Sequence, residues 1–466
     1  MTNPPTCLTP AGCAPAATSL GLPLLVMLSG TFLVVLDFFI VNVALPSMQL
    51  ELHATNAELQ WVVAGYGLAT ATGLVAGGRL GDMFGRRRVF MLGLFLFTLT
   101  SLGCGFAPTA AALVAARVAQ GLAAAILQPQ VLAMLSSAYT GPARARSFAA
   151  YGVVLGLAAT LGQLVGGALI AADWGGLGWR TCFLVNAPIG LAALLAAPRA
   201  LARMPGQPGS RSLDIAGMLL IAASAVGLVL PLVEGRADGW PAWTFAVLGL
   251  SLALLVVFAA QQRRREAQGR DPLVPGALMG NKQFLAGLAT ALVFYAGNAS
   301  LYFVIALHLQ QARGLSPLAS GLVFSVLAAG FFATSMAAPA LARRFGRAPI
   351  AEGAMLLAAA HLLQCFNFEA GGEGTAVFGM LLLAVQGAAV GMVMAPLSSA
   401  VLARVPAQHA GVASGLFATV QQVGNALGVA LVGVVFFGAK EHAIGAASLY
   451  LAGSAGLVAV LHRRSS

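Results

Sequence analysis

Two charged residues stand deep inside long apolar runs of this sequence. Asp37 lies in the run from Leu20 to Pro46, and Arg117 in the run that begins at Ala110. Either charge costs at least a few kcal/mol within hydrocarbon, so unpaired and purposeless charges are not expected there. Asp37 is nine residues from the end of its run at Pro46, and Arg117 is seven from the start of its own. At about 1.5 Å per residue these are depths of about 13 and 10 Å, so the two can meet if their helices adjoin. Burial favours a neutral acid, whereas a nearby guanidinium favours the carboxylate. A conformational change that altered their separation or wetting would bind and release a proton. A static ion pair that fixes helix packing is the plainer alternative.

A second constellation follows the next apolar run: Gly78, Arg79, Gly81, Asp82, Gly85, Arg86 and Arg87. Small residues allow helices to approach closely. Asp82 could then pair with a basic residue or a neighbouring helix end and latch one conformation; plain orienting charge would explain the arginines but not Asp82. Gly162 and Gly166, with Gln163 and Gly167 beside them, form a small-residue packing face. Asn42, Tyr66, Gln128, Tyr151, Asn298, Tyr302 and Gln386 are polar or aromatic residues within apolar runs. Buried polar groups of membrane helices face the bundle interior, so these are candidates for a substrate cavity.

The elements that carry these residues must be membrane helices. Of 466 residues 59% are hydrophobic and 8% charged, against roughly 25% charged in a soluble domain. The net charge of +11 invites a nucleic-acid reading, but too little polar material exists to build a solvated fold around it. The apolar runs are unbroken, which excludes a β-barrel with its short alternating segments. Spans are expected near 21–46, 57–78, 88–107, 110–137, 147–172, 181–198, 213–233, 241–261, 283–309, 317–341, 348–368, 375–397, 409–437 and 443–461. Residues 1–20 carry no Lys or Arg and read as a disordered tail rather than a signal peptide. The five cysteines are scattered without metal-ligand spacing and read as small apolar residues. No metal, cofactor, phosphate-binding loop or nucleophile–base set is expected.

Basic residues favour cytoplasmic loops. With both termini inside, 20 of the 25 Lys and Arg residues fall on the cytoplasmic side. All five tryptophans then fall at the outer face, as an interfacial belt would. The chain also repeats itself. Gln120-Gly121 and Gly162-x-x-x-Gly166 are echoed by Gln386-Gly387 and Gly424-x-x-x-Gly428, and Phe84-Gly85-Arg86 by Phe345-Gly346-Arg347. Spans 1–6 (residues 21–200) and 9–14 (271–466) thus read as related halves, with spans 7 and 8 (201–270) between them. Halves repeated in parallel, with a site at their interface, are a transporter architecture.

The motif residues resemble the major facilitator superfamily. The segment Gly78 to Arg88 is similar to its loop signature. The segment Leu36 to Pro46 resembles the first-span signature of its fourteen-span drug/proton antiporters. Arg117-x-x-Gln120-Gly121 and Trp179-Arg180-x-x-Phe183-x-x-Asn186-x-Pro188-x-Gly190 resemble the fourth- and sixth-span motifs. Three positions depart from the pattern: Gln163 stands in place of Pro, Phe39 where Thr is frequent, and Gln421 where Arg is common. The resemblance implies an all-α major-facilitator fold of two six-helix halves plus two inserted helices. It also implies a bacterial cytoplasmic-membrane exporter of small lipophilic or amphipathic compounds, working by alternating access. A proton gradient would supply the energy, and no nucleic acid, cofactor or obligate partner chain is implied; a monomer is expected. A dedicated exporter of one metabolite, or a non-transporting receptor with the same fold, are the alternatives. No acidic residue falls within spans 9, 10, 12 or 13, which points toward neutral, zwitterionic or monocationic substrates.

Overall fold

The computed structural model describes residues 21–202, 214–236, 238–270, 272–345, 349–370, 373–403, 405–406, 409–439 and 442–465. The expected tail at 1–20 and the second-half motif Phe345-Gly346-Arg347, except for the backbone of Phe345, lie outside them. Among the described residues, fourteen helices are long and apolar enough to cross a membrane. In the first half these are α1 (Leu22–Leu52), α2 (Asn56–Phe84), α3 (Arg86–Gly105), α4 (Ala110–Ala138), α5 (Gly141–Ala172) and α6 (Gly178–Ala200). In mid-chain come α7 (Ile215–Glu234) and α8 (Ala242–Ala267). The second half holds α9 (Lys282–Ala312), α10 (Pro317–Phe345), α11 (Ile350–Ala370), α12 (Glu373–Leu402), α13 (Ala410–Gly438) and α14 (Ala443–Ser465).

Local chemistry starts the helices where the apolar runs begin. Thr55 and Glu58 form a reciprocal capping box at α2, with Glu58 N donating to Thr55 Oγ1 at 3.2 Å and Thr55 N to Glu58 Oε2 at 2.8 Å. Gly85 separates α2 from α3 at φ 91°, a backbone that glycine adopts without strain. Prolines lie inside α1 (Pro46), α4 (Pro129), α7 (Pro231) and α12 (Pro396), where neighbouring helices compensate the lost hydrogen bonds. Span 1 runs six residues past its expected end at Pro46, finishing at Leu52. One proline does not stop a helix whose flanking residues are packed.

The repeat seen in the sequence reappears as paired crossings. Gly121 of α4 lies against the Tyr66 carbonyl of α2, and Gly387 of α12 against the Leu327 carbonyl of α10; neither has room for a Cβ. Thr70 Oγ1 donates to Gly121 O at 3.1 Å, and Thr334 Oγ1 to Ala388 O at 2.7 Å. Gly162 and Gly166 of α5 back onto α1, while Gly424 and Gly428 of α13 back onto α9. The halves meet where α2 touches α13 (Gly67 against Gln422 and Ala426) and where α5 touches α10 (Gly167 against Pro317).

Helices α7 and α8 are central in sequence but peripheral in space. Ala225, Val229 and Val233 of α7 pack against Ala64 and Leu68 of α2 and Ala426 and Ala430 of α13, covering the seam between halves. Helix α8 turns Phe245, Leu250, Leu252 and Val256 outward. The hairpin is closed at its basic end by Asp214, which accepts from Gly217 N (3.1 Å), Gln261 Nε2 (2.9 Å) and Gln262 Nε2 (2.8 Å) and pairs with Arg265 at 3.4 Å. Burial opposes its charge, but the Gln262, Gly217 and Gln261 donors and Arg265 outweigh burial and hold the carboxyl below its ordinary value of 3.8. A depressed carboxylate adds stability that is present above the ordinary value and is lost as pH falls through the lowered one. Asp214→Ala is therefore expected to cost about 1 kcal/mol in thermal unfolding at neutral pH. The gap between variant and parent should close in acid, below about pH 4.

The tryptophans correct one expectation. Trp174 is 68% exposed and Trp243 36%, as belt residues should be, but Trp179 is 1% exposed. Its indole N–H donates to Glu51 Oε2 at 2.7 Å, and the Arg180 guanidinium, paired with Glu51 at 3.1 Å, lies over its ring. An acidic partner at the overshooting end of α1 draws this ring inside. Cys104, Cys182 and Cys365 are buried within the helix packing, as expected.

Candidate functional site

Asp37 and Arg117 meet. Both side chains are fully buried, and Arg117 Nη1 donates to Asp37 Oδ2 in a direct ion pair between α1 and α4. Arg117 Nε also donates to the Val62 carbonyl of α2 at 3.0 Å. Asp37 lies fifteen residues from the end of α1 at Leu52, about 22 Å of helix, because that end overshoots; Arg117 keeps its expected depth.

Residues that the sequence presents only as motif letters complete the site. Gln120 bridges the pair: its Oε1 accepts from Arg117 Nη1 at 2.6 Å and its Nε2 donates to Asp37 Oδ1 at 2.8 Å. Asn186 of α6 donates to Asp37 Oδ1 and to Ser101 Oγ of α3, each at 3.0 Å, and Ser101 Oγ donates in turn to Phe183 O at 2.9 Å. The signal for Gln120 is its spacing, three residues from Arg117 on one helix face. Ser101 carries none, since serine is common in apolar helices.

Both Asp37 oxygens therefore accept hydrogen bonds, the pattern of an ionised carboxylate. Tyr66 and Phe183 flank the cation, their ring centroids 4.2 and 5.6 Å from Arg117 Cζ. Two polar atoms, Arg117 Nη2 and Asn186 Oδ1, are buried without a partner. The network thus holds one donor and one acceptor in reserve beside the carboxylate. Such a site can be rewired by a small helix displacement.

The second constellation closes on itself. Arg86 donates to Asp82 at 3.0 Å, one turn away across the Gly85 break, with both side chains partly exposed. Arg87 caps the Pro198 carbonyl of α6 at 2.8 Å. Gly81 packs against Gln130 of α4, whose Nε2 donates to Gly77 O at 2.6 Å, whereas Gly78 and Arg79 lie on more open faces.

The seven candidate cavity residues have different immediate surroundings. Asn42 donates to its own helix, at Phe38 O 3.1 Å away. Tyr66 belongs to the Arg117 site, and its hydroxyl donates to Val34 O at 3.4 Å. Gln128 and Tyr151 are half-buried. Asn298 lines a small cleft inside the second half, with His361, Leu301 and Ser454. Tyr302 stacks on Phe324, and Gln386 is fully buried without a partner for its amide. At the tryptophan end α9 is tied to α1: Gln310 donates to Val43 O at 2.9 Å and Gln311 to Gln49 at 2.6 Å.

Fourteen spans, two six-helix halves plus the α7–α8 hairpin, with an ion pair sealed inside the first half, define a multi-pass membrane transporter. Known proteins agree. A family model described as the Major Facilitator Superfamily matches residues 27–429. The chain is 36% identical over 453 residues to the probable actinorhodin transporter of Streptomyces coelicolor, covering 94% of this chain and 77% of that protein. It is 33% identical over 433 residues to the tetracenomycin C resistance and export protein of Streptomyces glaucescens, covering 91% and 78%. An auto-inhibited POT family peptide transporter superposes with a TM-score of 0.70 at 14% identity, over 95% of this chain and 97% of that one, which is a likeness of fold. The chain belongs to the Major Facilitator Superfamily, and its fourteen spans fit the drug/proton antiporter type. It is a transporter rather than an enzyme.

Proposed function

We infer that this protein is a proton-coupled exporter of small amphipathic compounds, working by alternating access in the cytoplasmic membrane with both termini inside. The observation that carries the reading is the buried Asp37–Arg117 pair, bridged by Gln120 and held from α6 by Asn186. Export fits the relatives, whose names are those of a probable actinorhodin transporter and of a tetracenomycin C resistance and export protein. An ionised Asp37, with the tryptophan end tied by Gln310 and Gln311, fits a state closed toward the outside. Protonation of Asp37 would remove the charge that Arg117 pairs with and free Gln120 and Asn186 to rearrange, which loosens α1 from α4 and α6. The Asp82–Arg86 pair, fixed between α2 and α3, would engage the second half in the opposite state.

The test is accumulation of a panel of unrelated antibiotics and dyes in inside-out vesicles with an imposed pH gradient. Accumulation of several compounds that collapses with the gradient supports multidrug export. Accumulation of one compound alone marks a dedicated exporter. The absence of gradient-dependent movement of every compound would overturn the reading and leave a receptor with a transporter's fold.

A further inference from the structure

The ion-pair site uses none of the polar side chains buried where α5 meets α10, and three of their atoms have no partner. Both amide atoms of Gln163 and the hydroxyl of Ser320 are without a hydrogen bond, although the two residues are 1% and 0% exposed. Each unmet buried group costs about 1–3 kcal/mol, and three such atoms need an explanation. The backbones that carry them adjoin. Gly321, next to Ser320 on α10, lies so near the Gln163 carbonyl of α5 that an added Cβ would be 2.6 Å from it.

An aromatic cluster lies at the same junction. Gly162, next to Gln163, backs onto Phe39 of α1, where an added Cβ would stand 2.8 Å from the Phe39 Cβ. The Phe39 ring meets Tyr302 of α9 edge to face at 5.0 Å, and Tyr302 stacks on Phe324 of α10 at 5.8 Å and 18°. Phe324 is one helical turn from Ser320. Helices α1, α5, α9 and α10 thus bring three rings and three unmet hydrogen-bonding atoms to the seam between halves. No acidic residue occurs in α5, α9 or α10, and Asp37 of α1 is already paired.

We propose that this junction is the substrate subsite, and that it takes a neutral, planar aromatic ring system carrying keto or phenol oxygens. Offset or edge contacts with Phe39, Tyr302 and Phe324 hold the ring plane. Gln163 Nε2 donates to a keto oxygen, Gln163 Oε1 accepts from a phenol, and Ser320 Oγ does either. In the present conformation the rings occupy each other, so the groups go unmet until the halves move apart. Gln163, in the position where the antiporter signature has Pro, is then a specificity residue. This inference rests on the export reading for its physiological meaning but not for its test.

The test is equilibrium binding to the purified full-length protein in lipid nanodiscs, with 1,8-dihydroxyanthraquinone, oxygen-free anthracene and cationic ethidium as probes. The protein is expected to bind the dihydroxyanthraquinone at least about tenfold more tightly than anthracene, equivalent to about 1.4 kcal/mol, and more tightly than ethidium. Gln163→Leu should erase that preference without lowering the thermal unfolding midpoint, since a merely structural amide would lower it. Ser320→Ala should halve the preference or more, and serves if the first variant fails to fold. Tyr302→Ala should weaken both uncharged probes about tenfold. Equal affinity for the two uncharged probes, tighter binding of ethidium, or an unchanged preference in both polar variants would overturn the proposal, whatever the vesicle experiment shows. Selective binding by a protein that moves nothing in vesicles would overturn the export reading and leave this subsite standing.

Discussion

Asp37→Asn is expected to reduce accumulation driven by a pH gradient at least about a hundredfold, an effect of about 2.7 kcal/mol or more on the coupled step. Exchange of substrate across the membrane without a gradient should persist at a measurable rate. The reason is stereochemical. Asn can accept from Arg117 through its one oxygen, so α1 and α4 stay joined. The other Asp37 oxygen, however, accepts from both Gln120 and Asn186, and in Asn an amine replaces it. Asn186 can turn its amide over to suit, since its unpartnered Oδ1 is an acceptor ready to offer, while Gln120 Oε1 stays with Arg117. What the variant cannot do is change charge. A pump that loads and unloads its proton elsewhere would keep full gradient-driven accumulation, and that outcome removes Asp37 from the cycle.

The second large effect separates coupling from architecture. Arg117→Met alone leaves a carboxylate buried beside Gln120 and Asn186 with no counter-charge. Breaking a buried pair in this way costs about 3–5 kcal/mol, although the acid can escape part of it by taking a proton. The variant should unfold at a markedly lower temperature and lose gradient-driven transport. Adding Asp37→Asn removes the stranded charge, and replacement of a whole buried pair is close to neutral. The double variant is thus expected to recover stability to within about 1 kcal/mol of the parent while remaining unable to accumulate substrate. Unfolding in detergent followed by tryptophan fluorescence, beside vesicle uptake, reads both quantities. Recovery of transport along with stability would show that the pair only fastens helices.

Much of the fold and part of the site are legible in the amino-acid sequence. Apolar runs of about twenty residues can only become spanning helices, and counting residues along them brings Asp37 and Arg117 to one level, although it ends α1 too early. Glycine-rich echoes such as Gln120-Gly121 and Gln386-Gly387 reveal the repeat, because only glycine permits the carbonyl-close crossings that both halves use. What is not legible depends on distant partners. Nothing near Trp179 in sequence announces that Glu51, 128 residues away, holds its indole inside. Ser101 becomes visible only through Asn186, which links it to Asp37. The seam-covering position of α7 is equally silent, since a helix that faces lipid on one side and protein on the other reads as apolar throughout.

The central claim is that Asp37 gains and loses a proton within the transport cycle. Linkage requires that a substrate binding preferentially to the deprotonated state release that proton when it binds. The direct measurement is proton release into weakly buffered solution, followed with a pH-sensitive dye, as saturating substrate is added to the purified transporter. The parent protein is expected to release up to about one proton per molecule within a series of pH values, and Asp37→Asn none at any pH. Equal release from the two proteins would contradict the account.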